Sequence, residues 1–76
     1  MKSQQIKTTY QEIIFDINPF APARWIEASM RLQYGTLGHL SLDVFRREVK
    51  MFMSNIDYTD REQVQTWEAL AKSYGL

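Results

Sequence analysis

Seventy-six residues suffice for one small domain, and a chain this short buries only about 60% of the surface its unfolded form exposes. It has no cysteine, which excludes a disulfide framework and any Cys-based metal site. Nine basic and nine acidic residues cancel, so no overall charge draws nucleic acid or anionic lipid to it.

Hydrophobic residues are 45% of the chain and aromatics 13%, a heavy supply for so small an interior. Part of that supply is expected at an interface, with a second copy or with a protein partner. The charges, though balanced, are segregated. Residues 20–55 carry Arg24, Arg31, Arg46, Arg47 and Lys50 against Glu27, Asp43 and Glu48, a local balance of +2. Residues 56–76 carry Arg61 and Lys72 against Asp57, Asp60, Glu62 and Glu68, a local balance of −2. Such a dipole can steer a partner or align two copies head to tail.

Residues 1–5 are polar and are expected to be disordered. No apolar run approaches the roughly 20 residues of a membrane span, and residues 1–12 lack the apolar core of a signal peptide, so a cytoplasmic setting is expected. Residues 6–17 read in two ways. Ile6, Tyr10, Ile13, Ile14 and Ile17 fit one helical face, and Thr9 with Glu12 fits a capping box that would shorten such a helix. Ile13, Phe15 and Ile17 also alternate as in a strand, which alone in a helical chain would have to pair across a dimer.

Asn18-Pro19-Phe20-Ala21-Pro22 is a firm break, because each proline biases the residue before it away from helix. Phe20 is expected to plug the space under the next helix. Residues 22–34 form that helix, with Pro22 at its first position and Trp25, Ala28, Ser29 and Leu32 on one face, widened by Ile26, Met30 and Tyr34. Gly35 stands where a left-handed residue closes it, and Leu37 and Leu40 of the following connection are expected to turn inward.

Residues 42–56 hold the most regular pattern. Leu42, Phe45, Val49, Phe52 and Ile56 recur at steps of three and four, behind Ser41 as N-cap. This helix is expected to be the spine, with Asp43, Arg46, Arg47, Glu48 and Lys50 facing water. Met30 and Met53 are expected in the core and Met51 on the surface. Thr59 with Glu62 suggests a second capping box. The last helix then places Val64, Trp67, Ala71 and Tyr74 inward beside Leu70, with Lys72 near its end and Gly75 closing it.

The fold expected is therefore all-α, one small domain of three to four helices over residues 1–76. Chemical signatures are absent. His39 is the single histidine, in a glycine-bearing loop, and reads as solvated or as a cap. The glycines of GTLG lack the lysine and the length of a phosphate loop, and the serines lack a nucleophile elbow. Asp57, Asp60 and Glu62 lack the calcium-loop pattern and read as helix capping. An enzyme, a cofactor and a metal are not expected. The expected function is a protein–protein interaction or regulatory module, adaptor or inhibitor, acting through an aromatic and Met-rich helical face. Self-association as a dimer, an unidentified protein partner, or both are expected, without a membrane. Candidate partner-binding residues are Trp25, Met51, Trp67, Arg46, Arg47 and Lys50. The alternative is a DNA-binding regulator using the basic face of residues 42–55, in a helix-turn-helix-like arrangement, or ribbon-helix-helix-like if residues 10–17 are a strand.

Overall fold

The computed structural model describes residues 9–35 and 37–76, and within them four helices and no strand. They are α1 (Tyr10–Ile17), α2 (Ala23–Tyr34), α3 (Leu42–Asn55) and α4 (Arg61–Ser73). The expectation that residues 1–5 are disordered lies outside the described residues. The strand reading of the first segment is overturned, and with it the ribbon-helix-helix order. The capping box decided it: Glu12 N–H donates to Thr9 Oγ1 at 3.1 Å, and Thr9 N–H donates to Glu12 Oε1 at 2.8 Å. Two otherwise orphaned donors are satisfied only if a helix starts there.

The hub is α2, not α3. It packs against each of the other three helices, whereas α3 and α4 share no close backbone contact. The physical reason is that α2 buries two faces. Ile26 and Met30 enter a cluster with Ile14, Leu37, Phe45 and Val49, supported by Tyr10 stacked on Phe45 with ring centroids 5.4 Å apart. Trp25 and Ala28 enter a second cluster with Ala71, flanked by Val64, Trp67 and Leu70. Ala28 and Ala71 are both fully buried, and small residues on two facing helices let backbones approach. Phe52 borders both clusters.

Two-sided burial catches residues that a single stripe would leave outside. Glu27 is buried and answers the guanidinium of Arg31 one turn later at 3.2 Å. Glu48, expected in water, is buried: Tyr34 Oη donates to it at 2.9 Å and Gln33 Nε2 at 3.4 Å, tying the end of α2 to α3. The expected stripe on α3 is correspondingly shortened. Phe45 and Val49 are buried, Phe52 and Ile56 are half-buried, and Leu42 is exposed. Leu32, assigned to the inner face of α2, is also exposed.

Helix ends follow local chemistry. Ser41 Oγ accepts from Val44 N–H at 3.3 Å, and Gly35 takes φ +77° at the end of α2. Pro22 is the N-cap of α2 and not its first helical residue. The expected Thr59 cap is displaced by one residue. Asp60 Oδ1 accepts from Glu62 and Gln63 N–H, while Thr59 donates both its N–H and its hydroxyl to Asp57. An ionised carboxylate is the stronger acceptor at the positive end of a helix.

Val49 is 2% exposed, so Val49→Asp places an unpaired carboxylate in the first cluster. We expect a loss of more than about 3 kcal/mol in a denaturant titration, enough to unfold much of a small domain; an unchanged midpoint would contradict the packing of α3.

Candidate functional site

Because α3 and α4 diverge, a cleft of about 440 Å³ opens between them. Its floor is Phe52, Ile56 and Trp67, with Phe52 meeting the edge of Trp67 at a centroid distance of 5.1 Å and 64° between planes. Its lips are Asn55, Glu62, Gln63 and Thr66. These lips are held in place. Gln63 Oε1 accepts from Asp57 N–H at 3.2 Å while its Nε2 donates to Asp60, and Thr66 Oγ1 donates to the Glu62 carbonyl at 2.8 Å. Asn55 Nδ2 donates to the Met51 carbonyl at 2.9 Å, which fixes the Asn55 side chain one turn after half-exposed Met51.

The wall behind the cleft is the joint between α2 and α4. Glu68 takes Arg24 Nη2 on one oxygen and the Trp25 indole Nε1 on the other, each at 2.8 Å. The indole N–H is the larger cause, with Arg24 next, that holds this carboxyl below its ordinary value of 4.5. Trp25 is thereby placed inside, with its ring 6.1 Å from that of Tyr58, and it presents no free face to a partner. Arg31 closes the far end of the joint, its guanidinium 6.0 Å from the Tyr74 ring centroid. Tyr74, expected inside, is more than a third exposed there.

A second depression, about 480 Å³, lies where the end of α1 meets α3, lined by Ile17, Asn18, Arg46, Arg47, Val49 and Lys50. Arg46, Arg47 and Lys50 are exposed and have no ion-pair partner among the described residues. Of the six candidate residues, then, Trp67 belongs to the cleft, the three cations to the α1/α3 groove, and Trp25 to the interior, while Met51 is exposed on α3 outside the cleft lining. Missed altogether was Phe20, 85% exposed where a core plug was expected. The signal was present in Asn-Pro, which favours a tight turn that throws the next side chain outward.

Among the described residues no three His, Cys, Asp or Glu side chains group as metal ligands, and no helix is long and apolar enough to cross a membrane. His39 is exposed in the turn after Leu37. No protein-family model, curated protein or solved structure matches this chain.

The depressed Glu68 gives a pH signature. Folding favours its ionised form, so the contribution is whole above about 4.5 and is lost as pH falls through the lowered folded value. Asp57, held down by the Thr59 hydroxyl first and then its N–H, and Glu12, held down by Thr9, act in the same direction. Stability measured by denaturant from about pH 6 down to about pH 3 should fall, and Glu68→Gln should flatten that fall without abolishing it. An identical slope in the variant would show that the clamp is not formed in solution.

Proposed function

We propose that the chain is a non-catalytic protein–protein interaction or regulatory module, of adaptor or inhibitor type, which accepts an apolar side chain of a protein partner in the cleft between α3 and α4. The observation that carries this reading is the cleft's construction: an aromatic floor open to solvent between lips fixed by hydrogen bonds. A preformed site of this kind costs little ordering on binding. Aromatic and Met side chains around a depression supply adaptable apolar contact, while the polar lips set orientation. Self-association and a foreign protein partner both use such a surface.

A photo-crosslinking residue at Thr66 should yield a discrete protein adduct in cells that express the chain, and the same probe at exposed Leu32 should not. Adducts from Leu32 alone, or none from Thr66, would refute the cleft as the binding surface.

One observation favours DNA as a second reading. With Glu48 turned inward, the outer face of α3 carries Arg46, Arg47 and Lys50 opposed only by Asp43. Against it, seven residues separate α2 from α3, where a helix-turn-helix uses three or four. On this reading a duplex of mixed sequence binds at low salt, weakly enough to be released by added salt, and replacing Arg46 and Arg47 by Gln lowers the salt dependence by about two phosphate contacts. No binding at low salt removes it.

A further inference from the structure

The segment joining α1 to α2 is built to hold one ring away from the protein. Asn18 Oδ1 accepts from Phe20 N–H at 3.0 Å, and the Asn18 carbonyl accepts from Ala21 N–H at 3.0 Å, closing a tight turn. Pro19 fixes φ inside that turn, and Pro22 ends it at the N-cap of α2. Phe20 stands on it 85% exposed, more than any other large apolar side chain among the described residues. A ring on a rigid turn loses little freedom when it docks, which suits a binding anchor.

Cations outnumber the one nearby carboxylate, Asp16, around its foot. Asn18, at the foot of the turn, shares its groove with Arg46, Arg47 and Lys50. The α3/α4 cleft is bordered by a net opposite charge, with Glu62 on its lip and Asp57 and Asp60 in the segment that leads to it, against Arg61. Turn and cleft are joined through the start of α2. Trp25, three residues beyond Pro22, packs in the same cluster as Phe52, Ile56 and Trp67 of the cleft floor. Phe20 nevertheless stays outside its own cleft.

We propose that two copies of this chain form a two-fold dimer in which Phe20 of each enters the α3/α4 cleft of the other. The inference rests on the reading of that cleft as an acceptor of apolar side chains and names its occupant. An apolar cavity of about 150 Å³ is enough to hold benzene, so a cleft of about 440 Å³ admits the ring together with the exposed Pro19 beside it. The cations beside each turn meet the carboxylates beside each cleft, which steers the encounter and fixes its sense. Reciprocal insertion, each ring in the other copy's cleft, is an isologous contact and closes at two copies, where one-way insertion would propagate into a chain.

Sedimentation equilibrium of the full chain at micromolar concentration should give twice the 9.0 kDa chain mass. Phe20→Ala, which removes an exposed ring, and Thr66→Arg, which fills the cleft mouth from an exposed position, should each weaken the dimer at least about thirtyfold, with the helical circular-dichroism spectrum unchanged and melting lowered only by the lost association. Mixing the two variants should restore a dimer of intermediate strength, because one intact ring and one intact cleft remain. A monomer for the wild-type chain overturns the proposal and leaves the cleft to a foreign protein, which the Thr66 crosslink reads separately. A dimer weakened by Thr66→Arg and not by Phe20→Ala keeps the cleft and rejects Phe20 as its occupant. A dimer that survives both variants places self-association on another surface.

Discussion

Burial of α2 on two sides is the constraint from which the rest follows. Four consecutive residues, Trp25, Ile26, Glu27 and Ala28, are each less than a tenth exposed. A surface helix hides one stripe and wets the other, whereas a helix inside a small domain has to hide both. Here the two stripes serve two clusters, Ile26 and Met30 on one side and Trp25 and Ala28 on the other. The consequence for charge is immediate. Glu27 has no route to bulk water and is matched by Arg31 within the helix, and Trp25 keeps its indole N–H satisfied through Glu68.

The same constraint produces the candidate site. With α2 as the common neighbour, α3 and α4 have no need to touch along their length, and the rings of Phe52 and Trp67 meet between them. What remains between them is a cleft with an aromatic floor. The chain thus ends with more apolar surface than its interior holds: Phe15, Phe20, Leu32, Leu42 and Met51 are each at least half exposed. The contact proposed above would cover part of that surface.

Much of the fold was legible in the sequence because its punctuation is strong. The prolines at 19 and 22, Gly35, Ser41 and the carboxylates at 57–62 mark helix ends through chemistry confined to a few residues. The capping box of Thr9 and Glu12 carried the choice between helix and strand, and it outweighed the β-branched residues beside it. What periodicity could not convey is rank among helices. The pattern of α3 is the cleaner because α3 buries one face; α2 looks irregular because it buries two, and the regular helix was taken for the spine. Glu48 was misplaced for a related reason. Its burial depends on Tyr34 and Gln33, fourteen and fifteen residues away, and no local spacing reports that contact. Phe20 lies outside because the turn closed by Asn18 sets its direction, which apolar character alone does not report. Of the cleft, Trp67 was legible as an aromatic on the last helix, while the lips at 55, 62, 63 and 66 appear only once two helices are set side by side.

Native-state hydrogen exchange tests the role of α2 most directly, because amides in the element that every other helix leans on can open only with the whole domain. The amides of Ile26 to Arg31 should be the slowest in the chain and should exchange with the free energy of global unfolding. If amides in the middle of α3 outlast them, or if α2 opens while α1 and α3 stay closed, the hub is elsewhere and the account built on it is wrong.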